Sequence, residues 1–187
     1  MKNAIILDLD ETLIKSYSYS DETLQNVRDL NLNYKIIDVT LMKKRSVEYE
    51  RFITVSRPHL KEFLLFCRSH FDYVCVWTAG IKEYANEIVN NFFIYDPHIV
   101  WHRKYIDVNS EGNRYKSIPK IRDAISDIRG DRINTFMVDD LPINCIDSDG
   151  FHVIKKYEPL KDHVDFELQT LISTVRKQHW FSVIDVI

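Results

Sequence analysis

Two aspartates separated by a single leucine close an apolar run near the start of the chain: Asp8 and Asp10 in AIILDLDETL, residues 4–13, with Glu11 and Thr12 directly behind them. Carboxylates this close repel one another and are costly to bury, so the pattern calls for a compensating charge. Asp139 and Asp140 end a second apolar run, INTFMVDD at 133–140, and Thr78 follows a third, YVCVW at 73–77. A gathering of carboxylate oxygens suits Mg2+, a hard cation that prefers oxygen ligands. Within the Asp8/Asp10 pair, one carboxylate could attack as a nucleophile while the other supplies and removes protons. Singly, each fragment reads as a turn, a helix cap or a solvated loop. Their shared position at the ends of apolar strands makes them a candidate site.

Such residues must be brought together by the elements that carry them. AIILDLD (4–10), YVCVWTA (73–79), INTFMVDD (133–140) and FHVIKK (151–156) read as buried strands. Between them lie helical periodicities: RPHLKEFLLFCRSHF (57–71) with Pro58 in its first turn, IKEYANEIVNNFF (81–93), IPKIRDAISDI (118–128), and VDFELQTLISTVRKQ (164–178) with Phe166 on its apolar face. Strands alternating with helices predict an α/β fold with a central parallel sheet covered on both faces. In such a sheet, ligands collect beyond the carboxyl ends of the strands. Lys15 to Ser56 breaks the rhythm: YKIIDVTL (34–41) and YERFITVS (49–56) alternate like half-exposed strands, predicting a small β-hairpin inserted after the first strand. Candidate groove residues for a substrate include Tyr34, Ile36, Phe52 and Trp77, and the first three could equally form the hairpin's packing face.

The totals agree with one domain over 1–187 carrying that insertion at about 15–56. With 45% hydrophobic residues and a net charge of −3, the chain reads as globular, with no bulk affinity for nucleic acid or an anionic membrane. Cys67, Cys75 and Cys145 share no CxxC spacing, which points to a reducing compartment and away from structural zinc. Charged residues crowd the N-terminal apolar run and no stretch is long enough to span a bilayer, so the expected location is nuclear or cytoplasmic, with no membrane partner. The terminal WFSVIDVI (180–187) is apolar enough to pack on its own domain, the default, or on a partner.

The order DLDETL, RPHLKEFL, WTAGIKEYA and VDDLP resembles phosphatases of the carboxy-terminal-domain type. These belong to the haloacid-dehalogenase superfamily and are related to the enzymes acting on the tail of RNA polymerase II and to nuclear-LIM-interactor-like proteins. The resemblance covers about residues 4–157 and implies a Rossmann-like haloacid-dehalogenase fold. It implies that Asp8 is the nucleophile and Asp10 the general acid/base. It further implies that Asp8, Asp140 and the Asp10 carbonyl hold Mg2+, with Asp139 behind them, and that Thr78 and the Ala79 amide hold phosphate oxygens. Thr12 then braces the first loop. The family's phosphate-neutralising lysine is harder to place, because GNRYKSIPK departs from the family pattern. Lys116 is the first choice, ahead of Lys120 and Lys104. Arg57 is read as structural, pairing with nearby carboxylates.

Rival chemistries fail on spacing. None of the cysteines is followed by the arginine of Cys-x5-Arg, and neither GxxxxGK[ST] nor GNHD occurs. The expected activity is Mg2+-dependent hydrolysis of phosphoserine or phosphothreonine in a protein segment like the polymerase tail, through an aspartyl-phosphate. The alternatives are a phosphatase for nucleic-acid, nucleotide or small-molecule phosphates, toward which only the basic run KKR (43–45) leans, and an inactive phosphopeptide-binding module.

Overall fold

The structure, a computed structural model, describes residues 1–43, 46–130, 132–144 and 150–177. The first strand, β1 (Lys2–Leu7), is apolar and buried from Ala4 to Leu7, as a strand covered on both faces must be. An inserted unit follows: β2 (Ile14–Ser18), α1 (Asp21–Asp29), β3 (Tyr34–Lys43) and β4 (Ser46–Ser56). Next come α2 (Leu60–His70), β5 (Tyr73–Trp77), α3 (Lys82–Phe92) and β6 (Ile99–Trp101). A small ribbon, β7 (Asp107–Val108) with β8 (Arg114–Tyr115), leads into α4 (Ile118–Arg129), β9 (Ile133–Asp139), β10 (Phe151–Val153) and α5 (Glu167–Lys177).

The large sheet has the order β10-β9-β1-β5-β6, and every pairing in it is parallel. Alternation along the strands divides the core. Ile5, Leu7, Val74, Val76 and Val138 pack toward α2, α3 and α5. Ala4, Ile6, Cys75 and Met137 pack toward Ile118, Ile121 and Ile125 of α4 on the other side. The chain runs outward from β1 through β5 to β6, then returns to the other flank of β1 for β9 and β10. The change of direction therefore falls at the carboxyl end of β1, the place such sheets reserve for ligands. Among the described residues no helix is long and apolar enough to cross a membrane.

Several local expectations need correction. The inserted segment is larger than a hairpin: β3 and β4 pair antiparallel, but β2 joins the other edge of β4 and α1 covers the resulting three-stranded sheet through Leu24 and Val27. β2 escaped notice because IKSYS is short and mostly polar, and α1 because it buries only those two side chains. Its signal was Ser20, whose hydroxyl accepts from the Thr23 N–H as a helix cap ahead of Asp21 and Glu22. Pro58 precedes α2 instead of occupying its first turn, because His59 interposes a left-handed residue (φ 64°) as the N-cap. Phe166 lies before α5, exposed and stacked on His59, instead of on the helix's buried face. β10 ends at Val153, and β6, only three residues long, is an additional strand. Trp77 is fully buried below the sheet end, and Ile36 is exposed. Residues 44–45 of the KKR run, Cys145 and the WFSVIDVI segment lie outside the described residues.

Candidate active site

Asp8 is the first residue beyond β1. Its N–H still donates to the Val138 carbonyl at 3.0 Å, so its position is set by the sheet ladder. The chain then turns tightly, with the Leu9 carbonyl accepting from Leu13 (2.8 Å) and Ile14 (3.0 Å), while Glu11 takes a left-handed conformation (φ 65°). A non-glycine residue there marks a loop that the surrounding structure holds in place. Thr12 is fully buried and its hydroxyl donates to Asp140 Oδ1 at 3.4 Å. The Thr12 carbonyl accepts from Arg57 (2.8 Å), whose guanidinium also grips Asp165 through two bonds of 2.9 and 2.8 Å. Arg57 thus pairs with a carboxylate, as expected, although that partner lies more than a hundred residues away.

β9 runs beside β1 in register, Leu7 opposite Val138, which brings Asp139 and Asp140 level with Asp8. One ligand oxygen from each of Asp8, Asp139 and Asp140 lies within 4.8 Å of the others, and all three side chains are buried. Lys116 completes the cluster. Its Nζ donates to Asp8 Oδ1 at 2.5 Å and to Asp139 Oδ2 at 2.6 Å, and only 2% of the residue is exposed. Its placement follows from local structure: Ser117 caps α4 by accepting from Lys120 N–H, Pro119 stands in the first turn, and Gly130 closes the helix in the left-handed region (φ 71°). The residue just ahead of that cap is held against the sheet end. Lys120 instead bonds Asp107 and the Tyr105 carbonyl, away from the carboxylates, and Lys104 is exposed.

On the opposite flank, β5 ends at Trp77, and Thr78 is buried with its N–H on the Trp101 carbonyl at 2.9 Å. The Thr78 hydroxyl accepts from Gly80 N–H (2.9 Å), and Arg103 braces the turn by donating to the Gly80 and Ala79 carbonyls. The Asp10 carboxylate accepts from the Tyr84 hydroxyl at 2.5 Å. A groove of about 460 Å³ opens beside it, lined by Asp10, Val39, Leu41, Phe52, Ile81 and Arg103 among others. Periodicity placed Tyr84 in the core and gave no hint that its hydroxyl reaches the acidic loop. Arg103 and Asp165 likewise carried no signal in the sequence.

The electrostatics are unbalanced. Burial pushes the Asp8 carboxyl up to about 8, with Lys116 pulling it down and Asp139 adding to the rise. Burial also raises Asp10 and Asp140, the Tyr84 hydrogen bond opposing it at the former and Asp139 reinforcing it at the latter. For Lys116, burial disfavours the charge, but Asp8 and Asp139 outweigh it and hold its pKa above the usual value. Among the described residues, three buried carboxyl groups thus meet one buried ammonium, so ionising all of them is opposed by their mutual repulsion and by burial. Among the described residues, Asp140 Oδ2 is buried with no hydrogen-bond partner, whereas both Asp139 oxygens are engaged, by Lys116 and by Leu141 N–H. An all-oxygen donor set with an orphaned carboxylate oxygen fits a divalent cation, with Asp8 and Asp140 better disposed as direct ligands than Asp139.

Comparisons with known proteins agree with this geometry. Residues 3–186 match the family model described as NLI interacting factor-like phosphatase. Protein 355R of Invertebrate iridescent virus 3, named as CTD phosphatase-like, is 38% identical over 92 residues, 49% of this chain and 44% of that protein. Its namesake in Invertebrate iridescent virus 6 is 28% identical over 75% of this chain and 77% of its own length. Phosphatase PSR1 of Saccharomyces cerevisiae is 30% identical over 68% of this chain, which spans only 26% of it. Among solved structures, Fcp1, an essential RNA polymerase II CTD phosphatase, superposes with a TM-score of 0.58 at 20% identity, covering 92% of this chain and 48% of that one. A fission yeast Fcp1 variant bound to beryllium fluoride gives 0.56 at 16% identity, covering 91% and 50%. At these identities the likeness shows the fold, that of the haloacid-dehalogenase phosphatases.

Proposed function

The chain belongs to the NLI interacting factor-like phosphatase family, and from that premise we propose that it is a Mg2+-dependent phosphatase for phosphoserine or phosphothreonine in extended protein segments, working through an aspartyl-phosphate. The observation that carries this reading is the buried Asp8 carboxylate at the end of β1, held by Lys116 and level with Asp139 and Asp140. In the first half-reaction, a carboxylate oxygen of Asp8 attacks phosphorus as the ester P–O bond breaks. Asp10 gives its proton to the departing serine or threonine oxygen. In the second, a water passes a proton to Asp10 and attacks the same phosphorus, breaking the Asp8–phosphoryl bond and releasing inorganic phosphate. In this reading Lys116, Thr78 and the Ala79 amide hold the phosphoryl oxygens, and Lys116 lowers the repulsion between an anionic nucleophile and an anionic substrate. A Mg2+ ion held by Asp8, Asp140 and the Asp10 carbonyl, with Asp139 oriented behind them, would supply further neutralisation of the phosphoryl charge.

A protein segment is favoured as substrate by the groove beside Asp10. Its walls of Val39, Leu41, Phe52 and Ile81 offer apolar surface to side chains flanking the phosphorylated residue, and the inserted sheet lines it from one side. An RNA polymerase II tail, rich in such phosphosites, is the leading candidate. The test is phosphate release from phosphopeptides, nucleotides and phosphorylated oligonucleotides, with and without Mg2+. Asp8→Asn should abolish turnover and Asp10→Asn should lower it by about 10²–10⁴-fold. Equal hydrolysis of peptides by wild type and Asp8→Asn would end the assignment, and preference for oligonucleotides would move it to the nucleic-acid alternative.

A further inference from the structure

Tyr84 enters the site from α3, and its hydroxyl does more than fill the core. It donates to Asp10 Oδ1 at 2.5 Å and lies 2.6 Å from Ser16 Oγ, which in turn lies 2.8 Å from Thr54 Oγ1. Ser16 and Thr54 are direct cross-strand neighbours on β2 and β4, so the inserted sheet presents them as a pair. With Asp10 Oδ1 as the acceptor, proton counting sets the direction of the chain. A phenol has one proton, and Tyr84 places it on the carboxylate, so Tyr84 must accept from Ser16. Ser16 also has a single proton, now committed to Tyr84, and therefore accepts from Thr54. The bonds run Thr54→Ser16→Tyr84→Asp10.

We propose that Tyr84, backed by Ser16 and Thr54, is the positioning residue for the proton carrier Asp10, fixing Oδ1 as an acceptor so that the transferable proton resides on Oδ2. This rests on the reading of Asp10 given above and adds what that reading lacks: an orienting partner, supplied jointly by α3 and the inserted sheet. A purely structural Tyr84 would explain the packing of its ring on Phe52 (centroids 5.5 Å apart) but not a hydroxyl chain ending on the carboxylate.

The leaving group tests it. Serine departs poorly without a proton, whereas p-nitrophenolate departs readily unaided, so disorienting Asp10 should harm the first reaction selectively. With Mg2+-supplied full-length chain, Tyr84→Phe should lower kcat for a phosphoserine peptide by about 10–100-fold, and its loss on p-nitrophenyl phosphate should be about tenfold smaller. Ser16→Ala, which leaves Tyr84 in place, should show the same split at smaller amplitude. The double variant should be no worse than Tyr84→Phe alone, because both act through one chain. Asp10→Asn is the reference. If it shows the split while Tyr84→Phe and Ser16→Ala lose both activities equally, the positioning chain is overturned and the role of Asp10 stands. If Asp10→Asn also loses both equally, the proton-carrier reading itself is wrong.

Discussion

Four side chains carry most of the site's electrostatic tension: Asp8, Asp139 and Asp140 against Lys116. A buried charge is tolerated only with a partner, and removing one partner leaves the others uncompensated. Lys116→Met should therefore destabilise the protein by about 3–5 kcal/mol in chemical denaturation, beyond the loss of one packed side chain, and should abolish phosphate release. Lys120→Met, which breaks a half-exposed pair with Asp107 and a bond to the Tyr105 carbonyl, should cost only about 1 kcal/mol. The acidic residues could be picked out in the sequence because their spacing repeats at strand ends. The lysine could not be fixed the same way, since Lys104, Lys116 and Lys120 lie within seventeen residues and only the turn from β8 into α4 decides which one faces inward.

Elements position these residues through a few shared anchors. Arg57, just ahead of α2, joins the Asp8–Thr12 loop to Asp165 just ahead of α5, and both partners of that pair are almost wholly buried. Asp165→Ala should destabilise by about 3–5 kcal/mol by stranding the guanidinium, measured as a lower denaturation midpoint, and Arg57→Lys should fail to restore the two-bonded geometry. Gly80 lies in the turn that joins β5 to α3. A Cβ there would stand 2.7 Å from the Tyr84 ring and 3.3 Å from Thr78 Oγ1. Gly80→Ala should thus push both neighbours, costing about 1–3 kcal/mol in stability and a larger share of kcat than of KM. Long, strongly periodic elements such as α2 and α3 could be read directly from the sequence. The extent of the insertion could not, because β2 and α1 each bury too few apolar residues to leave a clear period.

For the molecule as a whole, the parallel sheet gathers acidic side chains at the carboxyl ends of β1 and β9, and the proposed Mg2+ would offset them. Mg2+ that binds the native state alone must raise its stability by mass action. The midpoint of thermal unfolding should rise with Mg2+ and fall back with EDTA, and Asp140→Asn should remove most of that response while leaving the fold intact. A midpoint indifferent to Mg2+ in the wild type would count against the ion. The sequence by itself determined the alternation of buried strands and helices, and the placing of Asp8, Asp10, Thr78, Asp139 and Asp140 at strand ends, because burial and periodicity are local properties of the chain. Only the tertiary structure decided which lysine meets Asp8, that Asp165 answers Arg57, and that a hydroxyl chain from the inserted sheet ends on Asp10. Those are contacts between segments far apart in the chain, and hydrophobic patterning records which face of an element is buried, not which partner it meets.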